Sequence, residues 1–169
     1  MSEPPLWALT LMYWLHMLAT TVWIGGIAMT VLLVLPVAKT NLAPGDLSEL
    51  LKSLKRRIDP LAWLSLVVLL GTGMFQMSAS PSYQGFLTIT NTWSRAILIK
   101  HILFLIVIAF SAYLTWVLIP AQRRLALLQA KGKDAPEAER LENREIWFQR
   151  FNLILAALIL GLTALARSS

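Results

Sequence analysis

Long apolar runs separated by short charged segments define the polarity pattern of the chain. Four runs stand out, at about Leu6–Pro36, Pro60–Ser78, Trp93–Ile119 and Ile146–Leu165. Crossing a bilayer core as a helix takes roughly 20 residues, and each run has about that length or more. A backbone in hydrocarbon must satisfy its own N–H and C=O groups, so each run is predicted as a transmembrane helix. The first run is uncharged, lacks a basic leader and exceeds a signal-peptide core, so it reads as an uncleaved span. The expected fold is all-α: an integral membrane four-helix bundle forming a single domain over residues 1–169, with connecting loops at 37–59 and 120–145.

Charge orients these spans. Lys39, Lys52, Lys55, Arg56 and Arg57 lie between the first and second. Arg123, Arg124, Lys131, Lys133, Arg140 and Arg144 lie between the third and fourth, with Arg150 just inside the fourth. Residues 1–5 and 79–92 carry no Lys or Arg, and the tail has only Arg167. The positive-inside rule then places both loops in the cytoplasm and both termini on the extracytoplasmic side, as expected for a bacterial inner-membrane protein.

Composition agrees. The chain is 57% hydrophobic and only 14% charged, against about a quarter charged in soluble domains. Its net charge of +6 gathers in the loops, where anionic headgroups are the nearer partner, and no nucleic-acid motif is present. With no cysteine, disulfides, thiolate zinc sites and iron–sulfur clusters are excluded.

The loops carry helical patterning of their own. Leu47, Leu50, Leu51, Leu54 and Ile58 share one face opposite Lys52, Lys55 and Arg56, which predicts a short helix on the inner interface. Asp46 and Glu49 have capping-box spacing at its start. In the second loop Gly132–Pro136 breaks the pattern, and a helix capped by Asp134 restarts and runs into the fourth span.

Polar residues inside the spans carry the candidate chemistry. His16 and His101 are the two histidines, and both fall within apolar runs. At helical rise His16 lies roughly 15 Å, and His101 roughly 12 Å, below the outer boundary. Burying an imidazole in hydrocarbon needs a partner. Matched depth is what a shared ligand site requires, although each histidine could instead brace the bundle by hydrogen bonding. Met12 lies one turn before His16, with Thr20 and Trp23 continuing that face. Met74 and Met77 reach the same outer level from the second span. Imidazole and thioether suit copper, Cu(I) especially, while paired histidines also form the axial ligands of a b-type haem. Gly25, Gly26, Gly71 and Gly73 leave room for a cofactor or for close helix packing. Lys100, about 10 Å deep by helix rise, either snorkels outward or, with Arg95, faces an anion such as a haem propionate. Asn152 is expected to hydrogen-bond across the bundle.

The chain also resembles a known group. "WLHMLATTVWIGG" resembles the first-helix signature of the CopD-like copper-resistance membrane domain. "RRIDPLAWLSLVVLLGTG", "WSRAILIKHILFLIVIAF" and "RFNLILAALILGLTALAR" resemble the second, third and fourth helices. The related HemJ-type protoporphyrinogen oxidases share much of this layout. Resemblance to them implies His16 as a haem b ligand with Lys100 nearby. This chain lacks the acidic residue that those oxidases tend to carry after the Asn of "RFN", which weakens the oxidase reading.

Three functions follow as expectations. The first is copper uptake or resistance, with copper bound at an outer-leaflet site of His16, His101, Met12, Met74 and Met77. Toward the cytoplasm only Met29, Thr30, Ser111 and Thr115 follow, which suits an outer binding site better than a full channel. The second is a b-haem protein in quinone-linked electron transfer or protoporphyrinogen oxidation, using His16 and His101 with Lys100 or Arg95. The third is a non-catalytic membrane subunit. The lipid bilayer is the expected partner, and a homo-oligomer or a partner membrane subunit is compatible with all three. No serine–histidine–acid set, nucleotide loop or carboxylate pair is evident.

Overall fold

A computed structural model describes residues 4–85, 89–130 and 137–168. Its elements are α1 (Leu6–Ala28), a π-helical stretch (Met29–Val34), α2 (Leu35–Asn41), α3 (Pro44–Ser78), α4 (Thr92–Tyr113), a second π-helical stretch (Leu114–Leu118), α5 (Ile119–Ala130) and α6 (Glu137–Ser168). Among the described residues four helical rods are long and apolar enough to cross a membrane: Leu6–Asn41, Glu49–Ser78, Thr92–Leu128 and Arg140–Ser168. Large apolar side chains lie on their outer surfaces, with Leu33, Val67 and Leu105 more than 60% exposed. In water such a surface would be a liability; against lipid tails it is the solvated face.

The chain divides into two compact units, Met1–Thr90 and Asn91–Ser169. In the first, α1 and α3 pack antiparallel. Met12 meets Gln76, His16 meets Thr72, and Gly26 faces Ile58, so the α3 number falls as the α1 number rises. Trp23, Leu35, Leu66, Leu69 and Met77 are buried here. The threonines of α1 and of the π-helical stretch after it are accommodated in hydrocarbon by bonding back to the preceding turn. Thr10, Thr20, Thr21 and Thr30 each donate to the carbonyl four residues earlier.

In the second unit, α6 packs against α4 and α5. Phe110 contacts Phe148 edge-on at 5.1 Å between ring centroids, and Phe151 at 5.5 Å. Trp147 stacks on Phe151 at 5.3 Å. Toward the α5 end, Gln122 donates to Glu145 at 2.8 Å, and Gln149 donates to the other oxygen of the same carboxylate at 3.1 Å. The Arg144 guanidinium lies 5.6 Å from the Tyr113 ring centroid, within cation–π range. α4 begins with a reciprocal capping box, in which Ser94 N–H donates to Asn91 Oδ1 at 2.7 Å and Asn91 N–H donates to Ser94 Oγ at 3.2 Å.

Several local expectations are corrected. The first and third spans do not stop at Pro36 and Ile119, because helix continues to Asn41 and Ala130. Each π-helical stretch ends two residues before a proline, Pro36 or Pro120. A proline offers no N–H and crowds the carbonyl four residues back. The wider turn re-pairs the backbone there, with Leu35 N–H reaching Thr30 O and Ile119 N–H reaching Leu114 O. The amphipathic stretch around Leu50 is helical but not a separate interfacial element, since α3 runs unbroken through Pro60 into the second span. Nor does Asp46 cap it. Pro44 occupies the first turn and Ala43 is the N-cap, without a side-chain bond. The Asp134 cap lies outside the described residues. Asn152 is buried, yet its Oδ1 has no hydrogen-bond partner among the described residues.

Candidate functional site

His16 is held in the first unit by three features. Its Nδ1 lies 2.7 Å from Thr72 Oγ1 on α3. The Thr72 hydroxyl in turn donates to Val68 O at 2.6 Å. A hydroxyl has one proton. With that proton on Val68, Thr72 accepts from the ring, so His16 donates through Nδ1. A methyl built on Gly73 would sit 3.5 Å from His16 Cε1, so glycine at 73 seats the ring edge against the α3 backbone. Thr20 donates to the His16 carbonyl at 2.7 Å, one turn on.

One turn before His16, Met12 is half-buried and its backbone carbonyl accepts from Gln76 Nε2 at 3.1 Å. Met77, next to Gln76, is buried, whereas Met74 is exposed. The two α3 methionines thus differ in surroundings despite their spacing of three.

His101 is half-buried in the second unit, and its Nδ1 lies 2.7 Å from the Ile97 carbonyl oxygen. A carbonyl only accepts, so this ring also donates through Nδ1. Lys100 beside it is half-buried and Arg95 is exposed.

The sequence-predicted residues therefore form two sets, His16 with Met12, Met74 and Met77 in one unit, and His101 with Lys100 and Arg95 in the other. Sequence reading missed Thr72 and Gln76, α3 side chains that hydrogen-bond to α1. Both are polar residues in an apolar run, and that was the available signal. Among the described residues no group of three or more His, Cys, Asp or Glu side chains is placed to hold a metal ion. Any soft-metal site must draw on imidazole and thioether. In both rings the internal hydrogen bond engages Nδ1, and imidazole with thioether is a donor set that suits copper.

Helices of this length and polarity, with histidines bonded inside them, define a polytopic all-α membrane protein. The family of copper resistance protein D, CopD, matches residues 53–166, most of the chain, and the protein belongs to that family. The matched stretch contains Thr72, Met74, Met77, Arg95, Lys100 and His101, while Met12 and His16 precede it. No curated protein and no solved structure matches the chain.

Proposed function

We propose that the protein binds copper in the extracytoplasmic half of the bacterial inner membrane, in copper uptake or resistance. In the first unit His16 Nε2 is the anchoring donor and the thioethers of Met12, Met77 and Met74 the sulfur donors; in the second unit His101 is the imidazole donor. Both basic loops lie in the cytoplasm. The observation that carries the reading is the ring state of His16. An imidazole whose Nδ1 proton is engaged by an internal acceptor offers Nε2, the arrangement common to histidine metal ligands. Membership of the copper-resistance family points to the same ion.

The test is a titration of purified full-length protein with Cu(I) against a competing chelator, combined with an absorption spectrum. A colourless protein that holds copper, and loses at least about tenfold in affinity with His16→Ala, is the expected result. His101→Ala and the double substitution separate one shared ion from two independent sites. A Soret band abolished by His16→Ala would replace copper with haem b, and unchanged copper retention in both single variants would remove the ligand assignment altogether.

A further inference from the structure

We propose that Thr72 is a positioning residue for the His16 ligand atom, acting by holding the proton on Nδ1. This deepens the copper reading and rests on it for its purpose, although its central observation concerns the protein alone. The chain of bonds runs in one direction. His16 Nδ1–H donates to Thr72 Oγ1 across 2.7 Å, and Thr72 O–H donates to Val68 O across 2.6 Å. The terminal acceptor is a backbone carbonyl, which cannot reverse the sequence. Thr72 itself is buried, so water does not compete for its hydroxyl.

The same bond fixes ring direction as well as tautomer. Nδ1 is tied to α3 at Thr72 while Cε1 sits over Gly73, the next residue. Two adjacent α3 positions thus address two adjacent ring atoms, leaving the imidazole little freedom to rotate. His101 donates through Nδ1 to the Ile97 carbonyl of its own helix. Partners of this kind typically set metal affinity by about 10–100-fold.

Thr72→Val keeps shape and removes the hydroxyl, Thr72→Ala cannot overfill the site, and Thr72→Ser restores the donor–acceptor group. The full-length protein, labelled with ¹⁵N-histidine in lipid nanodiscs without metal, reports the tautomer of each ring by NMR. Wild type and Thr72→Ser are expected to show His16 as the Nδ1–H form. Thr72→Val and Thr72→Ala are expected to shift His16 toward the Nε2–H form while His101 stays unchanged. Cu(I) affinity is expected to fall about 10–100-fold in the valine variant and to return with serine. An unchanged His16 signal in both hydroxyl-free variants overturns the proposal. If the tautomer responds as described but wild type holds no copper, the positioning role stands and the copper reading fails. The two failures are thereby distinct.

Discussion

Gln76 Nε2 donates across 3.1 Å to the backbone carbonyl of Met12, joining α3 to α1 one helical turn from the contact between Thr72 and His16. Two such ties set the register of one helix on the other. Hydrogen bonds between membrane helices average about 0.6 kcal/mol and reach about 1.7 kcal/mol. Gln76→Leu is therefore expected to destabilise the protein within that range, read as a lower midpoint of unfolding in mixed detergent. A midpoint at or above that of wild type would show that the amide contributes nothing to the pairing.

Asn152 should respond in the opposite direction. Its Oδ1 is buried without a partner among the described residues, and an unmet buried acceptor costs about 1–3 kcal/mol. Leucine has a similar volume and brings no polar atom, and the neighbouring buried residues Leu155, Ala156 and Ile159 are apolar. Asn152→Leu is expected to raise the same unfolding midpoint. A fall would reveal that the carboxamide is used, by a bound molecule or an internal water.

The glycines of α3 make a matched pair for testing the seat of His16. A Cβ on Gly71 meets nothing within 4 Å, whereas one on Gly73 lies 3.5 Å from His16 Cε1. An alanine methyl at 73 makes an ordinary contact, so Gly73→Ala is expected to retain copper affinity. Gly73→Leu pushes further atoms into the ring and is expected to lose it, while Gly71→Leu is expected to leave it unchanged. Equal behaviour of the two leucine variants in the Cu(I) titration would remove Gly73 from the site.

What the sequence revealed and concealed follows from the range of the forces involved. The four spans were legible because transfer of an apolar run into lipid depends on composition alone. Helix continuity past Pro36 and Pro120 was not, because a proline reads as a stop until the preceding turn is seen to widen. Asp46 had the right spacing for a cap, but Pro44 starts the helix earlier. At the site, the histidines and methionines were found by residue type. Thr72 was not, since its value comes from facing His16, 56 positions away. Asn152 failed as an expectation for a related reason: burial was legible, and the absence of a partner was not.

Orientation admits a clean measurement because the chain has no cysteine. Any thiol introduced is the only one, and its reaction with a membrane-impermeant maleimide reports the side it faces. Ser82 lies in the turn following α3, a stretch with no Lys or Arg, and Lys52 lies among the cluster ending at Arg57. The positive-inside bias predicts that the basic cluster faces the cytoplasm. Ser82→Cys in intact spheroplasts is expected to label fully, and Lys52→Cys only after the membrane is permeabilised. The reverse pattern would invert the protein and carry the His16 ring, which lies toward the Ser82 end of α3, to the cytoplasmic half, where it could not receive copper from outside.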